Sequence, residues 1–483
     1  MNKPELVQEL IKIFGPDNVM HEPEDILCYE GDFSIDKSLP EVIVLPDNAQ
    51  QLALLMALAA RENVPIVPRG AGTGLSGGAI AVRGGVLVAM TKLKRLLNVD
   101  FDNRYAVVEP GMVNIDLTHA IEHAGYNFAP DPASQKASTI GGNIALNAGG
   151  PHCLAYGTTT NHVLGLEIAL PGGDLVDLGG PVPDRPGYDL TGFVVGSEGT
   201  LGIVTKATVK IMRTAEAVRT FLALFTGVEP ASDATSAIIA HGIVPAALEM
   251  MDQMTVQIVE AGLHAGYPPE AGALLLIEID GLTESMDDLT EQIVQICRDN
   301  GAFDVRYAST QEERTKLWMG RKSAAGAFGR VAPNFYLHDG VVPRSKLPLV
   351  LRKVGEISRE YNLPIANLFH AGDGNLHPNI LFDAREEGIM PRVLEAGEKI
   401  LKLCVDVGGT ISGEHGIGTE KQEYMSWIFT PEDMETMKKL RSVFNPDNIV
   451  NPWKIFPTMK SCGEMSLKMR LLKSKPGMEE AWI

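Results

Sequence analysis

Apolar and polar positions alternate at helical spacing over residues 3–14, and Gly15-Pro16 follows as a stop, so the chain is predicted to open on a helix. The run EVIVLP (41–46) predicts a strand, Asn48 to Arg61 a helix capped by Asn48 with Ala and Leu through its middle, and VPIVP (64–68) a second strand. From there to about residue 215 the pattern changes to short β-type runs separated by glycine: GGVLVAM (84–90), YAVVEPG (105–111), VLGLEIALPGG (163–173) and GIVTKATVKIM (202–212). A second region follows to about residue 430. In it the strand-like runs TFLALF (220–225) and ALLLIEI (273–279) each precede a helical stretch, which predicts an antiparallel sheet covered by helices in a separate domain. The fold class expected is α+β. No repeat of fixed period is visible, and after NPWKIFP (451–457) the chain leaves the globular pattern and turns basic.

Composition narrows this picture. The 483 residues, 45% hydrophobic and 21% charged, suit a globular protein with two large domains. A formal net charge of −19 argues against nucleic acid, which calls for clustered Lys and Arg. Cys28, Cys153, Cys297, Cys404 and Cys462 include no CxxC pair and form no disulfide framework, so a reducing compartment is expected. With no 18-residue apolar run and no signal-peptide pattern, the expected location is cytoplasmic, any membrane association being peripheral and through a partner.

The richest chemistry lies in NLFHAGDGNLHPN (367–379). If Asp373-Gly374 forms a two-residue hairpin loop, His370 stands directly opposite His377, with Cβ atoms roughly 4.5–5.5 Å apart and Asn379 on the same face. Two imidazoles so placed can share an ion, and GGTISGEHGIGTEK (408–421) offers Glu414 to complete a His, His, carboxylate set, leaving His415 beside it. The competing reading is a pair of hydrogen-bonded core histidines at an ordinary turn.

A literal G-x-G-x-x-G stands at Gly72, Gly74 and Gly77 in VPRGAGTGLSGG (67–78). A Rossmann loop should open a helix, whereas AIAVRGGVLVAM follows here as two β-like runs around Gly84-Gly85. A glycine-rich loop between strands still cradles pyrophosphate through its amides, although a plain tight loop is also consistent with the motif. PDPASQKASTIGGNIALNAGG (130–150) and GSEGTLGIV (196–204) add two further loops of this kind, and three in one half of the chain point to a large polar cofactor.

Six segments in order, PRGAGTGLSGG, PDPASQKASTIGGNIALNAGG, HCLAYGTTTNHVLGLEIALPGG, PGYDLTGFVVGSEGTLGIVTKATVKI, HAGDGNLHPNIL and GGTISGEHGIGTEK, make residues 20–457 closely resemble the FAD-linked D-2-hydroxy acid dehydrogenases of the vanillyl-alcohol-oxidase type, a group that includes glycolate oxidase FAD subunits and D-lactate dehydrogenases. The resemblance implies a two-subdomain PCMH-type FAD-binding domain at 1–215, a substrate or cap domain with the metal site at 216–420, a segment returning to the flavin at 421–457, and a basic tail at 458–483. It places the FAD pyrophosphate on Pro68, Arg69, Gly70, Ala71, Gly72, Thr73, Gly74, Ser76 and Gly77. Asp131, Pro132, Ser134, Thr139, Gly141, Gly142 and Asn143 are implied around the flavin and ribityl chain, with Gly149 close to the ring. Glu198, Gly199, Ile203 and Val204 fall on the adenine and diphosphate side, and Asn451 at the isoalloxazine. Trp453 departs from the family, which carries glycine there. Thr73 stands where covalent members carry histidine, so noncovalent FAD is implied.

The resemblance also implies roles. His370, His377 and Glu414 hold a divalent metal (Zn, Fe or Mn), His415 accepts the hydroxyl proton, Arg321 clamps the substrate carboxylate and Asn379 hydrogen-bonds the substrate. The competing readings are a solvated helix-face arginine beside Lys322 for Arg321 and a structural role for His415. Tyr336 and His338 either line the pocket or belong to the core. Ala325 and Leu337, at positions where dicarboxylate-specific relatives supply polar groups, favour a small monocarboxylate such as D-lactate or glycolate; the alternatives are another D-2-hydroxy acid such as 2-hydroxyglutarate, or a non-catalytic FAD-binding subunit. With no haem or iron–sulfur motif, electrons are expected to leave to an iron–sulfur subunit or an electron-transfer flavoprotein. The tail around Lys460, Lys468, Arg470, Lys473 and Lys475 is either a docking element for that partner or a solvated end.

Overall fold

The computed structural model describes residues 1–183 and 186–457. They divide into two compact units, one formed by 1–150, 157–214 and 414–457, the other by 151–156 and 215–413.

The first unit opens with the helix Lys3–Phe14. Its start is a capping box, in which the Asn2 side chain accepts from the Glu5 amide and the Glu5 carboxylate from the Asn2 amide. The helix buries Leu6, Val7, Leu10 and Phe14 in a core shared with Val42, Val44, Leu52, Leu55, Met56, Ile66, Val86 and Val88. Strands Val42–Val44, Val86–Ala89 and Ile66–Arg69 lie parallel in that order, with Val19–Met20 antiparallel at one edge. Their side chains are apolar in succession because a parallel sheet is covered on both faces. The helix Ala49–Glu62, N-capped by Asn48 and closed by Asn63 in the left-handed region, makes one parallel connection. The other, from Ile66–Arg69 to Val86–Ala89, is the glycine-rich loop, and no helix follows it. Of the two β-like runs expected around Gly84-Gly85 only the second is a strand. Residues 79–83 turn instead, with the Val82 amide on Ile80 O and the Gly84 amide on Ala81 O.

This unit also holds a five-stranded antiparallel sheet, in the order Leu96–Asp100, Tyr105–Val108, Ile203–Lys210, Val163–Ala169, Leu175–Gly179, and a short pair, Tyr126–Asn127 with Met212–Arg213. The unit closes on itself late in the chain. Ile449 and Asn451 bracket Ile66 as a parallel bridge, the Ile66 amide donating to Ile449 O (2.8 Å) and the Asn451 amide to Ile66 O (2.7 Å).

The second unit is built on an antiparallel sheet. Ala217–Phe225 and Ala273–Gly281 pair along nine residues, Ala247–Asp252 adds to the latter, and Ile365–His370 pairs with Ala247–Asp252. Helices Val228–Ala240, Gln253–Leu263, Met286–Asp299, Leu347–Tyr361 and Ile389–Asp406 cover it, burying residues at three- and four-residue spacing such as Val350, Val354 and Ile357. The architecture is α+β, as expected. Among the described residues no helix is long and apolar enough to cross a membrane. The basic tail lies outside the described residues.

Candidate functional site

Pro68 and Arg69 end the strand Ile66–Arg69, and Gly70 to Gly77 run on as the loop. Among the described residues no backbone N–H from Gly70 to Gly78 donates to a protein acceptor. The loop carbonyls, by contrast, are engaged: Ser76 O accepts from the Thr419 amide (2.9 Å), Gly77 O from Lys454 Nζ (2.6 Å) and Gly78 O from Asn451 Nδ2 (2.9 Å). Donors left open and carbonyls tied down are what an anion nest requires. At two of its glycines a side chain would collide with a neighbour. A Cβ on Gly70 would stand 2.4 Å from Thr139 Oγ1, and one on Gly77, at φ +75°, 2.2 Å from Thr419 Oγ1.

The second loop is also held by its own backbone. Asp131, Pro132 and Ser134 lie in its turns, where Ser134 O takes the amides of Ala137 and Ser138. Thr139 caps the short helix Ile140–Leu146 by accepting from the Gly142 amide (3.2 Å), which sets Gly141, Gly142 and Asn143 in its first turns, with Gly149 beyond its end. Ser138 Oγ and Asn143 Nδ2 are buried without hydrogen-bond partners, so this surface lacks polar ligand groups that a bound molecule would supply. Glu198 and Gly199 form the turn ahead of the strand that begins Ile203-Val204. The Glu198 carboxylate takes the amides of Ile417 (2.7 Å) and Gly418 (2.8 Å), and its backbone carbonyl takes Asn451 Nδ2 (2.7 Å). Burial pushes that carboxyl up, opposed by the two amides and by the charges of Lys454 and Lys421. Glu198 and Asn451 thus brace the returning segment. His415 is fixed in the same unit through its carbonyl, which accepts from Ser76 Oγ (2.8 Å), and its ring lies 3.6 Å from the Glu414 carboxylate.

In the second unit, His370 does not face His377 directly. It pairs with Asn375, and Ala366 pairs with Asn379, so the loop has four residues, 371–374, and the register is shifted by two. The longer loop has a cause. The Gly372 amide bonds Leu248 O (3.1 Å), Arg344 holds Gly372 O (2.9 Å), and Asp373 Oδ1 takes the Asn375 amide (3.0 Å), so the turn is tied to its neighbours rather than closed across two residues. A shift of two preserves parity along a strand. The imidazoles therefore still share a face, with ring centroids 5.0 Å apart at 81°. Asn379 joins that face, but its amide nitrogen is spent on the backbone, donating to His377 O (2.7 Å) and Ala366 O (3.3 Å).

Glu249 organises the cluster. It stands opposite His370 in the sheet, accepts at 2.7 Å from His370 Nδ1 through one oxygen, and binds Arg321 Nε at 2.5 Å through the other. Burial raises its carboxyl, but the charges of Arg321 and His370 and their hydrogen bonds outweigh this and hold it at about 2. The bond to Nδ1 turns His370 Nε2 outward, the arrangement in which a histidine binds metal. Arg321, at the end of the helix Gln311–Lys322, is buried rather than solvated, and with Nε committed its terminal nitrogens remain for a carboxylate. Asp339 lies 3.7 Å from His377 Nε2 and accepts from Ser412 Oγ (2.8 Å) and the Gly413 amide (2.9 Å); Glu414 is the next residue along the chain.

The sequence profile described as "FAD binding domain" matches residues 40–179, and that described as "FAD linked oxidases, C-terminal domain" matches residues 214–455. The chain belongs to the FAD-linked oxidases. It is 44% identical over 447 residues to "Glycolate oxidase subunit GlcD" of Escherichia coli (strain K12), covering 92% of this chain and 90% of that protein. To "D-lactate dehydrogenase" of Anaerostipes hadrus it is 33% identical, covering 87% and 90%. The fold of a substrate-bound p-cresol methylhydroxylase superposes with a TM-score of 0.80 at 16% identity, covering 94% of this chain and 96% of that one.

This FAD-linked oxidase therefore has loops that fit FAD: open amides for the diphosphate, glycines where a Cβ would clash, and polar atoms short of partners. Two of its buried acids were not singled out from the sequence. Glu249 interrupts AALEMM (246–251) and Glu278 interrupts ALLLIEI (273–279), and a single acid inside an apolar run of a strand is a signal in itself, because it is costly unless paired. Glu278 binds both ends of the Arg314 fork (2.9 and 2.7 Å), Trp318 Nε1 (2.6 Å) and His152 (3.2 Å). His152, stacked on Trp318, belongs to the six-residue excursion 151–156 that is part of the second unit.

Proposed function

We propose that this FAD-linked oxidase is a dehydrogenase of a small D-2-hydroxy acid, D-lactate or glycolate, forming the 2-oxo acid and passing electrons to a partner protein. The observation that carries the reading is the buried Arg321–Glu249–His370 chain, a permanent cation tied by one carboxylate to the paired histidines. Relatives at 33–44% identity named for glycolate and D-lactate support it.

In this reading Arg321 receives the substrate carboxylate through its terminal nitrogens and fixes C2 relative to the histidine face. His370, His377 and Glu414 are the residues to hold a divalent metal, whose Lewis acidity would favour loss of the hydroxyl proton. His415 accepts that proton. Asn379 offers its carbonyl oxygen to the substrate, its NH2 group being engaged. FAD, when bound, supplies the two-electron acceptor for the C2 hydrogen.

Anaerobic mixing of the protein with a panel of D- and L-2-hydroxy acids, followed by the flavin absorbance, tests the proposal. Rapid bleaching by D-lactate or glycolate, with L-lactate inert, is expected. Bleaching by 2-hydroxyglutarate alone would overturn the assignment of a small monocarboxylate, and no bleaching by any member would overturn dehydrogenation.

A further inference from the structure

Three non-glycine residues at positive φ follow one another near the end of the described chain: Asn451 (43°), Trp453 (62°) and Ile455 (72°). Such conformations are sparsely populated and persist where their surroundings hold them. The surroundings here are the phosphate loop. Asn451 Nδ2 bonds Gly78 O and Glu198 O, Lys454 Nζ bonds Gly77 O (2.6 Å) and Ile80 O (2.8 Å), and the Ile455 amide bonds Gly418 O (2.9 Å). Arg83 rests on the Trp453 ring, 4.8 Å from its centroid. Lys454 is wholly buried. Burying an ammonium is expensive, and two neutral carbonyls could be capped as well by an amide, as Asn451 does for its pair. What an ammonium adds is a positive charge directly behind a nest of open amides.

We propose that Lys454 is a positioning residue for FAD: it holds the Gly77 and Ile80 carbonyls away from the ligand, so that the loop amides face the diphosphate, and its charge stabilises that diphosphate from behind. A consequence in pH follows. Burial lowers the Lys454 ammonium to about 8, against the opposing charges of Asp32, Asp36 and Glu198. A bound diphosphate favours the charged amine, so FAD binding takes up a proton above that pH, and affinity must fall as pH rises past about 8, by at most tenfold per unit. Arg441, whose guanidinium donates to Lys454 O (3.4 Å), is lowered by burial to about 10, so the window below pH 9 isolates Lys454.

The test is the FAD dissociation constant of the holoenzyme, read from FAD fluorescence released on dilution between pH 6.5 and 9. The wild type should hold FAD evenly to about pH 8 and more weakly above it. Lys454→Met should bind at least tenfold more weakly at pH 7 and show no slope, and Lys454→Arg, charged throughout, should bind tightly and also lose the slope. Wild-type affinity in Lys454→Met overturns the proposal. So does a slope that survives in Lys454→Arg, the variant to rely on if the methionine does not fold, because it assigns the proton to Asp32, Asp36 or Glu198.

Discussion

Glu249 has no apolar substitute, because a buried guanidinium and an imidazole nitrogen both converge on it. In Glu249→Gln one of the two acceptors becomes an NH2 group facing a donor, and Arg321 is left buried without its counter-charge, a loss of about 3 kcal/mol or more. The pH dependence is fixed in sign. The carboxyl lies at about 2 when folded and near 4.5 when unfolded, so its contribution is complete above pH 4.5 and disappears as pH falls toward 2. Urea unfolding should therefore show wild type more stable than Glu249→Gln by about 3 kcal/mol at pH 7, with the gap narrowing at pH 3. Arg321→Lys exchanges a fork for a point charge, and KM for the hydroxy acid should rise roughly tenfold or more while FAD content stays the same. Steady-state kinetics beside the flavin spectrum check both halves. Arg321 and His370 could be read from the chain, but that Glu249 joins them could not, since strand pairing brings Glu249 to His370 across 121 positions and a helix brings Arg321 to it across 72.

At the scale of elements, the Asn48 cap was readable and sits where side-chain chemistry puts it, whereas the capping box at Asn2 emerged only with the fold. The histidine hairpin was readable only in parity. Two residues on one face follow from the period of a strand, whereas the register depended on Leu248 and Arg344, distant partners that no local pattern names. The hairpin should behave as a unit. His377→Ala is expected to lose bound divalent metal and substrate-driven flavin reduction together while keeping its FAD, which metal analysis and anaerobic reduction of one sample will show; full metal occupancy would return the histidines to a structural role. Gly374 has φ +82°, and a Cβ there would lie 2.2 Å from Val342 O, so Gly374→Ala should cost stability of about 2 kcal/mol or more in thermal unfolding.

Across the whole molecule, the glycine loops announced a large cofactor because three of them in one half of the chain exceed what turns need, but the reason the first loop's amides stay open was invisible: the bonds to its carbonyls come from Thr419, Asn451 and Lys454. Thr73, in the loop, offers no nucleophilic ring nitrogen for a flavin bond. Acid denaturation should release all FAD into the supernatant, and yellow colour retained on the precipitated chain would refute the noncovalent assignment.

The distance in sequence between Gly77 and Lys454, 377 residues, is also a distance in time. A ribosome adding about 5–20 residues per second makes the glycine-rich loop roughly 20–75 s before the lysine that braces it. During synthesis the nascent chain therefore carries a glycine loop whose carbonyls are still free to bond elsewhere. FAD should load only after the 451–455 segment has emerged, so ribosome-bound chains stalled ahead of it would be colourless and full-length chains yellow.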